Sequence, residues 1–288
     1  MAVRNPLAPL RDSEAGFGLI SALLFVLLIS AALAPLAIAG RVQSLSTAYT
    51  HERREFEILA DGVVRAIYFL SEQDRTPLRW QRCATARYVF YLDIQDQSGL
   101  IDLNSAGPQL LQFGFRGFGL SGADADAAAA VVERYRSPGG YTVDVRGPPA
   151  ELKHAPFEDV TELADITTAA TIPMSEISRF FTVFNRTDTV ALNHSDNRLR
   201  QIIEEGRGSE FLVEGAHSSS VSEVSVMRFR KGRPSGFMLR AMMTRAEGGN
   251  VRMLRRSLSV IEEGASSIPS PAQPCRGVAE LLVRNYDS

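Results

Sequence analysis

From Phe17 to Ala39 the chain runs FGLISALLFVLLISAALAPLAIA without one charged residue. About 20 apolar helical residues cross the hydrocarbon core of a bilayer, so this run is long enough to span one. The pattern then changes without a break. Between Arg41 and Glu72, residues Phe56, Leu59, Ala60, Val63, Ile67 and Leu70 recur at helical spacing on one face, and His51-Glu52-Arg53-Arg54-Glu55 supplies solvated positions. The two stretches predict one long helix whose second half packs on a domain. Pro35 should kink it, because proline removes a backbone donor and crowds the preceding turn.

Beyond the helix the period shortens. Tyr88 to Gln95, YVFYLDIQ, is aromatic and β-branched and predicts a strand, and Asp96-Gln97-Ser98-Gly99 predicts a turn. Leu100 to Leu111 leads into a helix, with Asn104 or Ser105 as its cap and Pro108 near its start. Another helix is predicted over Ala123 to Tyr135, opened by Ser121 and stopped by Ser137-Pro138-Gly139-Gly140. The unit recurs more weakly. Phe157 to Leu163 begins a helical stretch, Thr182 to Asn185 is extended, and Val190 to Ile203 repeats an apolar-x-Leu-Asn step into a capped helix. Residues 101–205 therefore predict an insertion of short helical hairpins.

After Gly206 the runs Phe211-Leu212-Val213, Val221 to Arg230, Gly236 to Ala246 and Asn250 to Ile261 are β-rich, and with Tyr88–Gln95 they predict a small antiparallel sheet. In the last run Arg252 and Arg256 share parity with Leu254, Leu258 and Val260, so alternation leaves its register open. Gly264 to Pro274 predicts a loop, and Val278 to Val283 a last strand or short helix. The fold class is α+β: an N-terminal transmembrane and stalk helix on a small antiparallel sheet, with a large all-α insertion. The division is a leader (1–16), a membrane helix (17–40), stalk and first strand (41–100), the insertion (101–205) and the rest of the α/β domain (206–288).

Net charge is −2 and the pI about 6.1, so no basic excess points to nucleic acid. The one dense basic stretch, Arg228-Phe229-Arg230-Lys231-Gly232-Arg233, alternates as a strand with a solvated face. His51, His154, His194 and His217 are scattered, and neither Cys83 nor Cys275 has metal-ligand neighbours. Outside the cytoplasm two cysteines invite a disulfide, worth on the order of 4–5 kcal/mol for so long a loop; the other state is two free thiols. No nucleophile-base pattern, phosphate loop or metal spacing argues for an enzyme. Asp93, Asp96 and Asp102 surround one turn and could ligate calcium, but their spacing matches no defined loop and favours a solvated turn. A membrane-tethered DNA-binding protein is the alternative function. Its phosphate turn would be Arg116-Gly117-Phe118-Gly119-Leu120-Ser121, although Asp124 and Asp126 in the next helix would repel phosphate.

The apolar run is open to several readings: a signal anchor, a secretory signal cut after Ala37-Ile38-Ala39, or a leader cut between Gly16 and Phe17. Gly16-Phe17 at the head of the run resembles the prepilin peptidase site of type IV pilins and type II secretion pseudopilins. Most such proteins carry Glu five residues into the mature chain, where this chain has Ser21; its lack is typical of the general secretion pathway protein K family. Gly99-Leu100-Ile101-Asp102-Leu103-Asn104-Ser105-Ala106 resembles that family's Gly-x-Ile-Asn-Leu-Asn-Thr-Ala run. Phe157 to Leu163 resembles its Phe-x-x-x-x-Glu-Leu segment, and Thr182-Val183 with Ala191-Leu192-Asn193 its later elements. His194-Ser195-Asp196 departs from the family's Thr-Ala-Pro. The resemblance covers nearly the whole chain. It implies a pilin-like fold, cleavage by prepilin peptidase, and a single pass in the bacterial inner membrane with the C-terminal domain in the periplasm. It also implies a non-enzymatic place at the pseudopilus tip with other minor pseudopilins, in a family with calcium-binding members.

Overall fold

The first helix, α1, spans Asp12–Asp74 and continues through Pro35. The computed structural model describes residues 12–74, 80–137, 153–166, 172–214, 221–233, 235–245, 250–262, 273–275 and 280. The chain divides into two units, residues 1–56 and 57–288. In the first unit Phe17, Leu24, Leu27, Leu33 and Ile38 of α1 are all exposed. In the second, the remainder of α1 buries Ala60, Val63, Val64, Ile67 and Tyr68 on one stripe, close to the predicted one.

A hairpin follows, β1 (Gln81–Ala84) and β2 (Tyr88–Asp96), paired antiparallel. The chain then leaves the sheet for over a hundred residues. It makes the two-residue strand β3 (Ile101–Asp102), helices α2 (Pro108–Arg116), α3 (Gly122–Arg136), α4 (Glu162–Ile166) and α5 (Met174–Phe180), and strands β4 (Phe181–Thr182) and β5 (Val190–Ala191). Helix α6 (Asn197–Glu205) and strand β6 (Leu212–Val213) complete the excursion. Strand β3 pairs with β4 and β5 with β6, both parallel. This part has its own apolar core, in which Leu110, Phe115, Phe181, Val190, Leu199 and Ile203 are among the buried members. Ser121 caps α3 as predicted, accepting from the Asp124 N–H.

The chain returns as β7 (Val221–Arg230), β8 (Ser235–Arg245) and β9 (Val251–Glu262), and closes with β10 (Gln273–Pro274). The sheet order is β10-β1-β2-β7-β8-β9, antiparallel throughout except for β10 on β1. A bulge in the pairing of β8 with β9 sets Met242 opposite Arg255 and Met243 opposite Met253. This resolves the register that alternation left open. Arg252 lies across from Thr244 and Arg256 across from Ala241, so two arginines of equal parity reach opposite faces.

Three expectations are corrected, and one strand is added. Leu212–Val213 joins β5 instead of the main sheet, since Gly206 and Gly208 press on the Phe113 ring and hold this stretch against the helical core. Gln273–Pro274, expected in a loop, forms β10; Gln81–Ala84, unassigned by pattern, forms β1. Helix α2 is capped by Gly107 with Pro108 at its first position, not by Asn104 or Ser105, because Asn104 is engaged elsewhere. Of Val278–Val283, all but Glu280 lie outside the described residues.

Candidate functional site

The helical segment from Phe17 is apolar enough to cross a membrane by length and composition, with a mean hydropathy of 2.6 over its best window and no part of that window buried. Such a surface needs lipid or a partner to cover it. Phe17, the expected first mature residue, is 75% exposed, and Gly16 precedes it within α1.

The motif residues of the helical module are its internal ties. Asn104 Nδ2 donates to the Phe157 carbonyl at 3.0 Å, and the Phe157 N–H donates back to Asn104 Oδ1 at 2.7 Å. One side-chain amide thus acts as a strand partner for a buried backbone. The Asp102 carboxylate accepts from the N–H groups of Asn104, Ser105 and Arg186 at 2.8–2.9 Å, the last in a left-handed conformation with φ of 60°. Arg136 donates to the carbonyls of Leu103 and Ala106. Asn185 Nδ2 donates to the carbonyls of Leu100 and Thr189. Glu162 accepts from Tyr135 Oη, Lys153 Nζ and the N–H groups of Glu158 and Asp159. Burial works to raise the Glu162 carboxyl, but the hydrogen bonds from Tyr135, Glu158 and Lys153 outweigh it and hold the group below its ordinary 4.5. The family resemblance singled out the stretches that contain Asn104 and Glu162, but not what these residues hold.

The acidic turn is not solvated, and its three carboxylates do not converge. Asp93 and Asp102 are buried. Asp93 accepts from the Trp80 N–H, and Asp96 accepts from the Ser98 N–H and hydroxyl. Among the described residues no group of three His, Cys, Asp or Glu side chains is placed to hold a metal. The Arg116–Ser121 turn is folded inward. Phe118 packs on Phe115, Phe180 and Phe181, and the Gly117 carbonyl accepts from Arg198. Gly119 takes φ of 82°, which only glycine adopts readily, and the Ser121 cap occupies the start of α3. The turn closes the α2–α3 hairpin, and the N–H groups of Gly117, Phe118 and Gly119 already donate to backbone carbonyls. Cys83 on β1 and Cys275 after β10 are joined by a disulfide, with Cα atoms 4.7 Å apart across 192 residues of chain.

Several polar contacts tie the helical module to the sheet. Gln95 Nε2 donates to the His194 carbonyl, and His194 Nε2 lies 3.9 Å from Asp96. Thr182 Oγ1 donates to Gln97 Oε1 at 2.7 Å. Gly99 lies so close to the His194 backbone that a Cβ there would overlap its carbonyl. On the far side Arg255 pairs with Asp159. Between these contacts is a cavity of about 200 Å³ lined by Asp159, Thr161, Thr182, Glu223, Arg240 and Arg255, among others. Glu223 is raised above the ordinary 4.5 by burial, only partly offset by Arg240 and a hydrogen bond from Ser225. Composition gave no sign of this cluster, because the members named come from five separate stretches of chain.

The chain is similar in fold to a solved structure from the GspK-GspI-GspJ complex of the enterotoxigenic Escherichia coli Type 2 Secretion System. The fold is GspK-like. The match has a TM-score of 0.52 at 9% sequence identity and covers 76% of this chain and 99% of the other. No family model matches, and no curated protein matches significantly in sequence. With identity this low the likeness is one of architecture: an apolar N-terminal helix, a mainly antiparallel sheet and additional helices in an α+β, pilin-like arrangement.

Proposed function

We propose that this chain is a minor pseudopilin of a type II secretion system, placed at the pseudopilus tip and helping to initiate or cap assembly for export of folded periplasmic proteins. The observation that carries the reading is an exposed apolar helix of membrane-spanning length on a chain of GspK-like fold. In this reading residues 1–16 are a leader removed by prepilin peptidase, 17–40 lie in the inner membrane, and the folded domain is periplasmic. Residues 101–205 form the insertion that crowds the space above. Its motif residues are spent on holding the module together, which suits an assembly role better than catalysis. Ser21, where related proteins carry a Glu that pairs with a neighbour's N-terminal amine, suits a subunit with none above it. The solved relative belongs to a complex with GspI and GspJ, so the partners proposed are their counterparts in the same secretion system.

Deleting the gene tests this. Export of folded proteins across the outer membrane should fall sharply while translocation across the inner membrane continues. Normal export in the deletion strain would overturn the reading.

A further inference from the structure

The cavity of about 200 Å³ beside Glu223 holds an arginine that the described residues do not satisfy. Its sheet wall is built from two cross-strand rows. One row sets Glu223 of β7, Met242 of β8 and Arg255 of β9 in line, and the next sets Ser225, Arg240 and Ser257 in line. Residues opposite each other in a sheet share a face, as do residues two apart on one strand, so all six project the same way. Arg255 is taken by Asp159 from the facing wall. Arg240 has no such partner. Its Nε is buried and without a hydrogen bond, and it stands 3.9 Å from Glu223 Oε1, beyond hydrogen-bonding reach. Across from it on both neighbouring strands are serines, whose neutral hydroxyls do not balance a guanidinium. The Arg240 side chain is only 25% exposed. Buried charges are normally both paired and hydrogen-bonded, so this N–H calls for an acceptor. Burial also raises the Glu223 carboxyl above its ordinary 4.5, and a proton taken up there would leave Arg240 the uncompensated charge of the described wall.

We infer that this cavity binds a carboxylate monoanion on the Arg240 guanidinium, with a short apolar stem against Phe181, Val183 and Met242. Arginine matches the two oxygens of a carboxylate in geometry and charge, and the three apolar side chains line the same space. Drug-sized ligands occupy about 300–1,000 Å³, so the occupant is a short-chain acid or a single acidic side chain of another polypeptide. The carboxyl groups of Glu223 and Asp159 in the wall disfavour a dianion such as phosphate. The inference does not rest on the proposed assembly role, since it concerns one cavity within this chain.

The test uses the full chain in detergent, labelled with 15N-arginine and followed by nuclear magnetic resonance. It is titrated with sodium butyrate and, separately, with N-acetyl-glutamate N-methylamide. The Nε–H resonance of Arg240, assigned by its absence from the Arg240→Lys protein, should move along a saturating curve with at least one of them and stay in place in equal sodium chloride. Saturation by butyrate alone supports the site with a free acid as occupant, and saturation by the capped glutamate supports it with a chain-borne side chain. No arginine Nε–H resonance of the wild type moving beyond the chloride control would overturn the site, a result that needs no variant to fold. The same saturating resonance persisting in Arg240→Lys would also overturn it.

Discussion

Asn104 and Phe157, 53 residues apart, are bonded to each other in both directions, the side-chain amide of one to the backbone N–H and carbonyl of the other. The pair ties the segment after β3 to the segment before α4, so the two stretches that stand out most clearly in the sequence meet at one point. Replacing Asn104 by Ala leaves both Phe157 backbone groups unpaired in a buried setting. The cost should be about 2 kcal/mol or more in urea unfolding. A loss under about 0.5 kcal/mol would mean that water substitutes for the amide.

Glu162 and Glu223 should respond to pH in opposite senses. The Glu162 carboxyl is held below 4.5, so its stabilisation is present above the unfolded value and is lost as pH falls through the folded one. Glu162→Gln should therefore destabilise at neutral pH, with the gap closing on acidification. Glu223 is raised above 4.5, so its favourable contribution is present in acid and is lost as pH rises through the folded value. Glu223→Gln should gain on the wild type as pH rises from about 4 to 8. Parallel melting curves for the two variants across this range would contradict both assignments.

The Cys83–Cys275 bridge fastens the two-residue β10 to β1. A strand that short contributes little pairing of its own. Removing both cysteines by substitution with Ser should lower stability by about 4–5 kcal/mol, and a reductant should do the same to the wild type. An unchanged urea midpoint in both experiments would show that the bridge does not support the sheet.

The sequence was legible where one element decides its own structure. Residues 221–230 are rich in β-branched and apolar residues and form β7 with those bounds, and Ser121 marks the start of α3 because a cap is a local device. It was not legible where a remote partner decides. Asn104 has the chemistry of a cap, and only the approach of Phe157 diverts it. The broken alternation at Arg252 and Arg256 was a real signal of irregularity, yet a bulge depends on the neighbouring strand. Two residues could not announce β10, since its pairing follows from the disulfide at its end. The cavity beside Glu223 and Arg255 is a product of how the module sits on the sheet, which no single stretch encodes.

Processing gives a further expectation. If Gly16-Phe17 is a prepilin peptidase site, protein recovered from membranes should begin at Phe17, and Gly16→Val should leave the leader attached. An N-terminus following Ala39 would instead assign the run to a cleaved secretory signal.

The central claim is a place at the pseudopilus tip, and association with the neighbouring minor pseudopilins tests it most directly. The full chain should be purified from membranes in mild detergent together with the GspI and GspJ counterparts of the same secretion system, and the mass of the assembly measured by light scattering after gel filtration. The expected result is a complex containing one copy of each chain, with no filaments formed by this chain alone. Separate elution of the three proteins, or self-assembly of this chain into filaments, would contradict a tip role.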